Sequence, residues 1–316
     1  MRQSPLHPLT QNQNEIRFRL QGDELLSFEL LRELKDEGHT DYFAHILPTI
    51  DGKRSRAVIY VTDEDGGFSD EHLQIFREAQ PVLAWVAEVH SQVRRSRTLL
   101  DTYLGKNTGQ QILDGKIARG DGETLHAVVW FCDLRGFTTL SEQLPRDELL
   151  DMLNDFFGAM TSSIEHEGGE VLKFIGDAML AIFPIEHGEA GKIACQKAMK
   201  AVEAVNSKTL LLNAQREEAK GPPIDFGVAL HVGEVHYGNI GGKTRLDFTV
   251  IGPAVNLASR IESKTKVLGE SVLVSDAFFQ ASSDGLVPCS REVFKGVAEP
   301  QNLYRLVRDD EKTADG

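Results

Sequence analysis

Residues 168 to 184 read GGEVLKFIGDAMLAIFP, and a lysine, Lys173, interrupts what is otherwise an apolar strand. Four residues later Asp177 occupies the tip of a two-residue turn, behind Gly176. Glycine supplies the backbone angles such a hairpin needs, and aspartate is tolerated beside it. Asp133 ends the apolar run AVVWFCD, so a buried strand delivers one carboxylate at its tip. Two carboxylates on neighbouring strand ends can clamp a hard cation, because Mg²⁺ favours a few carboxylates together with substrate phosphates. Taken singly, Asp133 reads better as a helix cap and Asp177 as turn chemistry. As a pair they read better as a metal site. In GPAVNLASR, Pro253 suits a first helical turn, and Asn256 and Arg260 leave the same helix face at i and i+4. An amide and a guanidinium so placed can hold a ribose and a phosphoryl group, although the bare spacing is far more often an exposed polar stripe. The segment DLRGFT opens a tight turn where the backbone N–H groups of Gly136, Phe137 and Thr138 could face an anion, as a minority of such turns do.

The elements that must position these residues follow from periodicity. LHAVVWFCD reads as a strand, followed by a helix with Leu149, Leu153, Phe156, Met160 and Ile164 on one face. The lysine-bearing hairpin comes next, then an Ala-rich helix near 189 to 215. Strands IDFGVALHVGEVHYGNIG and RLDFTVIG follow, with a helix from 253 to about 266 and short strands near 272, 286 and 302. The fold class is α+β, and the order β-α-β-β-α-β suits a ferredoxin-like palm with an extension. Upstream lies a small α/β region over residues 1 to 68. Its first 20 residues read as frayed; a helix is expected over 24 to 35 and strands at YFAHILPTI and RAVIYVTD, around a DGKR turn. Residues 69 to 123 read as a long helix and a Gly-rich linker, the linker spanning 103 to 123. Along that helix Val82, Val86, Val89, Val93, Ser96, Leu100 and Tyr103 follow alternating four-three spacing, equally a coiled-coil seam or the face of an ordinary helix. A coiled coil would join two chains in parallel. The β-α-β-β-α-β pattern with its extension covers 124 to 308, and a polar tail 309 to 316.

Composition bounds the function. The 316 residues carry 48 acidic against 34 basic side chains, a formal charge of −14, which argues against a duplex nucleic-acid partner, since that would need a basic face. An anionic substrate then needs metal ions or a local basic cluster. Cys132, Cys195 and Cys289 are widely spaced in apolar segments and read as reduced core residues. No apolar run reaches a membrane span, and the polar N-terminus lacks the apolar centre of a signal peptide, so a cytoplasmic protein is expected. His231 and His236 flank VGEV on opposite strand faces and read as ordinary core or surface histidines.

Together WFCDLRGFTTLSE, GGEVLKFIGDAMLAIF, GEVHYGNIG and FTVIGPAVNLASRIE resemble, in order and spacing, the catalytic domain of class III adenylate/guanylate cyclases. The resemblance implies that Asp133 and Asp177, with the Leu134 carbonyl, hold two Mg²⁺ or Mn²⁺ ions per site. It assigns Asn256 and Arg260 to the transition state, Lys173 and Thr249 to the base, and Lys295, the loosest match, to the terminal phosphates. An ammonium has donors only; it satisfies adenine N1, an acceptor, and would leave the guanine N1–H facing a second donor. The Lys173/Thr249 combination resembles subclass IIIb, and the implied substrate is ATP, converted to cyclic AMP at a homodimer interface. GGEV superficially resembles diguanylate cyclases, but here the turn is IGDA and the NLASR helix is present. Competing readings are a scaffold whose cyclase fold only dimerises, which the intact site set disfavours, and a guanylate cyclase, which Lys173 disfavours. The N-terminal region faintly resembles the later half of a GAF-type sensor, or else is a dimerisation cap; an upstream activator is expected but not identified by any motif.

Overall fold

The computed structural model describes residues 4–11, 13–21, 28–50, 52, 56–186 and 191–308. The chain divides into two compact units, Met1–Thr98 and Leu99–Gly316, so the division falls inside a helix. In the first unit, α1 (His7–Gln11), β1 (Glu15–Arg19), α2 (Glu29–Asp36), β2 (Asp41–Ile46) and β3 (Ala57–Thr62) precede α3 (Asp70–Leu104). The three strands form one antiparallel sheet, β1-β2-β3. Residues 24 to 27 of the expected first helix, most of the DGKR turn and the polar tail lie outside the described residues.

Of the first 20 residues, those described are not frayed: they hold α1 and β1, and β1 has both an apolar face and a polar tie. Ile16 and Leu20 are buried with Tyr42 and Leu31, while the Arg17 guanidinium pairs with the fully buried Asp41 at 2.6 Å. That carboxylate also accepts the Phe68 N–H at 3.0 Å, so its burial is compensated. Helix α3 buries Leu73 and Ala84 against this unit and leaves Val82, Val86, Val89 and Val93 exposed.

The second unit opens with a correction. The stretch expected as a linker contains a helix, α4 (Lys106–Leu113), which begins at Gly105 with φ +83°. The glycines at 105, 109 and 115 hid the helix formers Gln110, Gln111, Ile112 and Leu113. After it come β4 (Gly122–Leu134), α5 (Phe137–Gln143), α6 (Arg146–His166), β5 (Glu170–Ile175), β6 (Ala178–Pro184), α7 (Lys192–Glu218) and β7 (Phe226–Gly241). They are followed by β8 (Leu246–Ile251), α8 (Pro253–Leu268), β9 (Val272–Ser275), α9 (Asp276–Ala281), β10 (Leu286–Glu292) and β11 (Gln301–Leu306).

The sheet runs β10-β11-β9-β7-β4-β6-β5, with β8 paired to β7. Within it, β7-β4-β6-β5 is the ferredoxin-like arrangement expected from the element order. On one face, Val128, Trp130 and Cys132 of β4 pack under Met152, Phe156, Met160 and Ile164 of α6 and Ala198 and Val202 of α7. Alternation sends Ala127 and Val129 to the other face, where Ala254 and Ala258 of α8 and Val235, Phe248 and Val250 of the β7–β8 arm cover them. Each large side chain so buried contributes about 1.5–3 kcal/mol. Among the described residues, no helix is long and apolar enough to cross a membrane.

Candidate active site

Asp133 sits next to last in β4, on the face that Ala127 and Val129 share with α8. Its Oδ1 accepts the Leu134 N–H at 3.0 Å. Across the sheet it pairs with Ala178, so the preceding residue, Asp177, stands at the same end of the neighbouring strand. The Ile175–Ala178 pair closes the two-residue turn, and Gly176 takes the left-handed conformation there, φ +66°. Burial, and then the Asp177 charge within hydrogen-bond reach, push the Asp133 carboxyl up to about 6. Two carboxyls held together, with no cationic side chain paired to either among the described residues, are a donor set suited to a hard divalent cation, with the Leu134 carbonyl beside them.

A third acid lies behind this pair. Glu262 of α8 is buried, and burial followed by the Asp133 charge pushes it up to about 7. It stands over Gly227, the cross-strand partner of Asp133; a Cβ there would lie 2.7 Å from Glu262 Oε1. Sequence reasoning missed Glu262, although an acid on the apolar face of a helix that buries Leu257, Ala258, Ile261 and Thr265 was a readable signal.

At the base-reading positions, Lys173 Nζ donates to Asp247 Oδ2 at 2.5 Å, joining β5 to β8. Thr249 lies on β8 opposite Gly238 of β7; it is buried and its hydroxyl has no hydrogen-bond partner. The structure therefore brings Lys173 to the strand of Thr249 through an acid that sequence reasoning did not select. Asp247 precedes Thr249 by two residues, the spacing that places both on one strand face.

On α8, Asn256 is exposed and Arg260 follows one turn later. The Arg260 guanidinium donates to the Lys295 carbonyl, so the structure brings Arg260 and Lys295 together. Gly136 is the left-handed N-cap of α5 and no side chain caps that end, which leaves the turn of Gly136, Phe137 and Thr138 free of side-chain competition. Among the described residues, no hydrogen bond or ion pair joins Asp133 or Asp177 to Lys173, Asn256 or Arg260. His231 is a core histidine: its Nδ1 lies 2.8 Å from Ser275 Oγ, and burial lowers it to about 4.

Comparison with known proteins adds independent findings. The family model described as the Adenylate and Guanylate cyclase catalytic domain matches residues 123–289. An adenylate cyclase of Anabaena cylindrica is 35% identical over 158 residues, half of this chain and 31% of that protein. A terminal-differentiation-specific adenylate cyclase of Dictyostelium discoideum is 31% identical over 193 residues, 60% of this chain and 9% of that one. The chain therefore spans a third or less of these curated relatives. Among solved structures, the adenylyl cyclase CyaB from P. aeruginosa superposes with TM-score 0.53 at 30% identity, covering 59% of this chain and 96% of that one. The guanylyl cyclase Cya2 superposes with TM-score 0.51 at 28% identity, covering 58% and 93%.

Proposed function

Because this chain belongs to the family of adenylate and guanylate cyclase catalytic domains, we propose that it converts ATP to 3′,5′-cyclic AMP and pyrophosphate. The observation that carries this reading is the Asp133–Asp177 pair, whose mutual repulsion calls for a cation at the same sheet end. Asp133, Asp177 and the Leu134 carbonyl would hold Mg²⁺ or Mn²⁺, two ions per site. Bound there, such ions supply charge for phosphate oxygens and acidify a ribose hydroxyl.

The chain's own residues do the rest. The Lys173 ammonium, held by Asp247, donates to adenine N1, and the unpartnered Thr249 hydroxyl accepts from the amino group. Asn256 holds the ribose. The 3′-oxygen forms a bond to the α-phosphorus as the bond to the pyrophosphate oxygen breaks, and Arg260 neutralises the charge that develops. Lys295 and the N–H groups of Gly136, Phe137 and Thr138 receive the terminal phosphates.

A complete site takes Asp133 and Asp177 from one chain and Lys173, Thr249, Asn256 and Arg260 from a second copy, and among the described residues no hydrogen bond or ion pair joins the two sets within one chain. The exposed Val82, Val86, Val89 and Val93 stripe supports a parallel homodimer along α3, and regulation enters through the N-terminal region. An ATP substrate and three free cysteines favour a cytoplasmic location.

The test is an assay with Mn²⁺ and either ATP or GTP, measuring cyclic nucleotide and pyrophosphate. Cyclic AMP that disappears in Asp177→Ala, with little turnover of GTP, is expected. Comparable cyclic GMP would overturn the base assignment, and no product from a folded dimer supplied with either nucleotide would overturn the enzyme reading.

A further inference from the structure

Glu170, the first residue of β5, is a buried carboxylate with no cationic partner among the described residues. Neutral donors surround it instead. Tyr237 OH lies 2.9 and 3.1 Å from its two oxygens, Thr108 Oγ1 donates at 3.0 Å, and Asn107 Nδ2 donates at 3.3 Å. Thr108 Oγ1 and Tyr237 OH are themselves 3.3 Å apart. A core built for stability alone would place an apolar side chain here, since a buried carboxylate held only by neutral groups barely recovers its desolvation. Such a network is valuable where it fixes one arrangement of several chain segments.

The three segments are the start of α4, the start of β5 and the middle of β7. Lys173 stands three residues along β5 from Glu170. Tyr237 pairs with Val250, and its neighbour Gly238 pairs with Thr249. Tyr237 also meets Phe248 edge to face, centroids 4.8 Å apart. One carboxylate therefore ties β5, which carries Lys173, to β7, the strand on which Asp247-bearing β8 is paired, and α4 supplies two of its donors. Because β5 is the edge strand of its sheet, it has β6 alone as a hydrogen-bonded neighbour and depends on such ties for its placement. A polar cavity of about 250 Å³ lined by Gly105, Lys106, Asn107, Glu165, Gly168 and Glu170 adjoins the network, so no packed core backs α4 on that side.

We propose that Glu170 is a positioning residue for base recognition: donors from α4 set where β5 holds the Lys173 ammonium, and hence how well the site takes ATP over GTP. The proposal rests on the cyclase reading for the role of Lys173. It makes α4 an input to substrate affinity, and it predicts an effect on binding that leaves turnover alone, because base contacts are equally present in ground and transition states.

The test compares wild type with Thr108→Val, Tyr237→Phe and Thr108→Ser, assayed well below each melting temperature. Thr108→Val keeps the side-chain shape and removes the donor. It and Tyr237→Phe should raise KM for ATP and lower the ATP-to-GTP preference by about five- to tenfold, the scale of one lost hydrogen bond. The kcat at saturating ATP should stay within about twofold, the pattern of lost uniform binding. Thr108→Ser, which keeps the donor, should behave as wild type. Lower melting temperatures with KM and nucleotide preference unchanged would overturn the proposal and leave Glu170 a purely structural residue. Dissociation constants for α,β-methylene ATP and its GTP counterpart are measured alongside. A wild type that makes no cyclic AMP overturns the cyclase reading, while these constants still decide whether the network sets nucleotide preference.

Discussion

Asp133 holds its proton against the demands of a metal. Its folded carboxyl titrates near 6 rather than the usual 3.8, so the folded, cation-free chain binds a proton that the unfolded chain has released. Its contribution is therefore most favourable below 3.8, is lost as pH rises toward about 6, and stays lost above. Apparent Mn²⁺ affinity, followed by thermal shift, should accordingly strengthen as pH rises to about 6 and level off beyond it. At the other end of the site, Lys173→Glu should cut kcat/KM for ATP by about a hundredfold or more, because a carboxylate then faces adenine N1 with no donor. Steady-state kinetics with both nucleotides check this, and a smaller loss for GTP is expected. Lys173 and Asp177 were legible as residues out of keeping with their surroundings, a charge in an apolar strand and an acid at a glycine turn. Asp247 was not, since an exposed aspartate near the start of a strand looks like any solvated one until β5 is seen to reach it.

Elements with a strong apolar pattern were legible almost to their ends; α6 carries one apolar face and β4 a continuous apolar run, and the structure buries the α6 face and both faces of β4. The element lost to punctuation, α4, has glycine at its start and in its middle, and its reason for folding lies 62 residues away in the Thr108–Glu170 contact. Likewise β1 owes its place to Asp41, 24 residues on from Arg17, which no local window reveals. The crossing of β7 and α8 gives a sharper test. Gly227→Ala would drive a methyl group against Thr265 and Glu262, directly across from Asp133. Overpacking of this kind should cost about 1–3 kcal/mol, read as a lower denaturation midpoint. Activity should fall with it, since α8 must shift away from the strand that carries Asp133.

For the whole molecule, the proposed division of the site between two copies makes a quantitative prediction. Asp177→Ala and Arg260→Ala should each be inactive alone, yet an equal mixture allowed to exchange subunits should recover on the order of a quarter of wild-type activity, because half the dimers then hold one intact site of two. Replacing Val86 and Val89 by aspartate should lower the dimer fraction by sedimentation, and activity with it. The order of strands in the large sheet has a further consequence for how the molecule yields to solvent. Asp133 is carried by a strand flanked by antiparallel neighbours on both sides, while Lys173 rides on the outermost strand. In deuterated buffer the amides of residues 128 to 132 should therefore be among the last to exchange and those of 171 to 175 among the first. Nucleotide should slow the second group far more than the first, so that the phosphate end of the ligand meets a surface already set and the base end supplies the order its strand lacks.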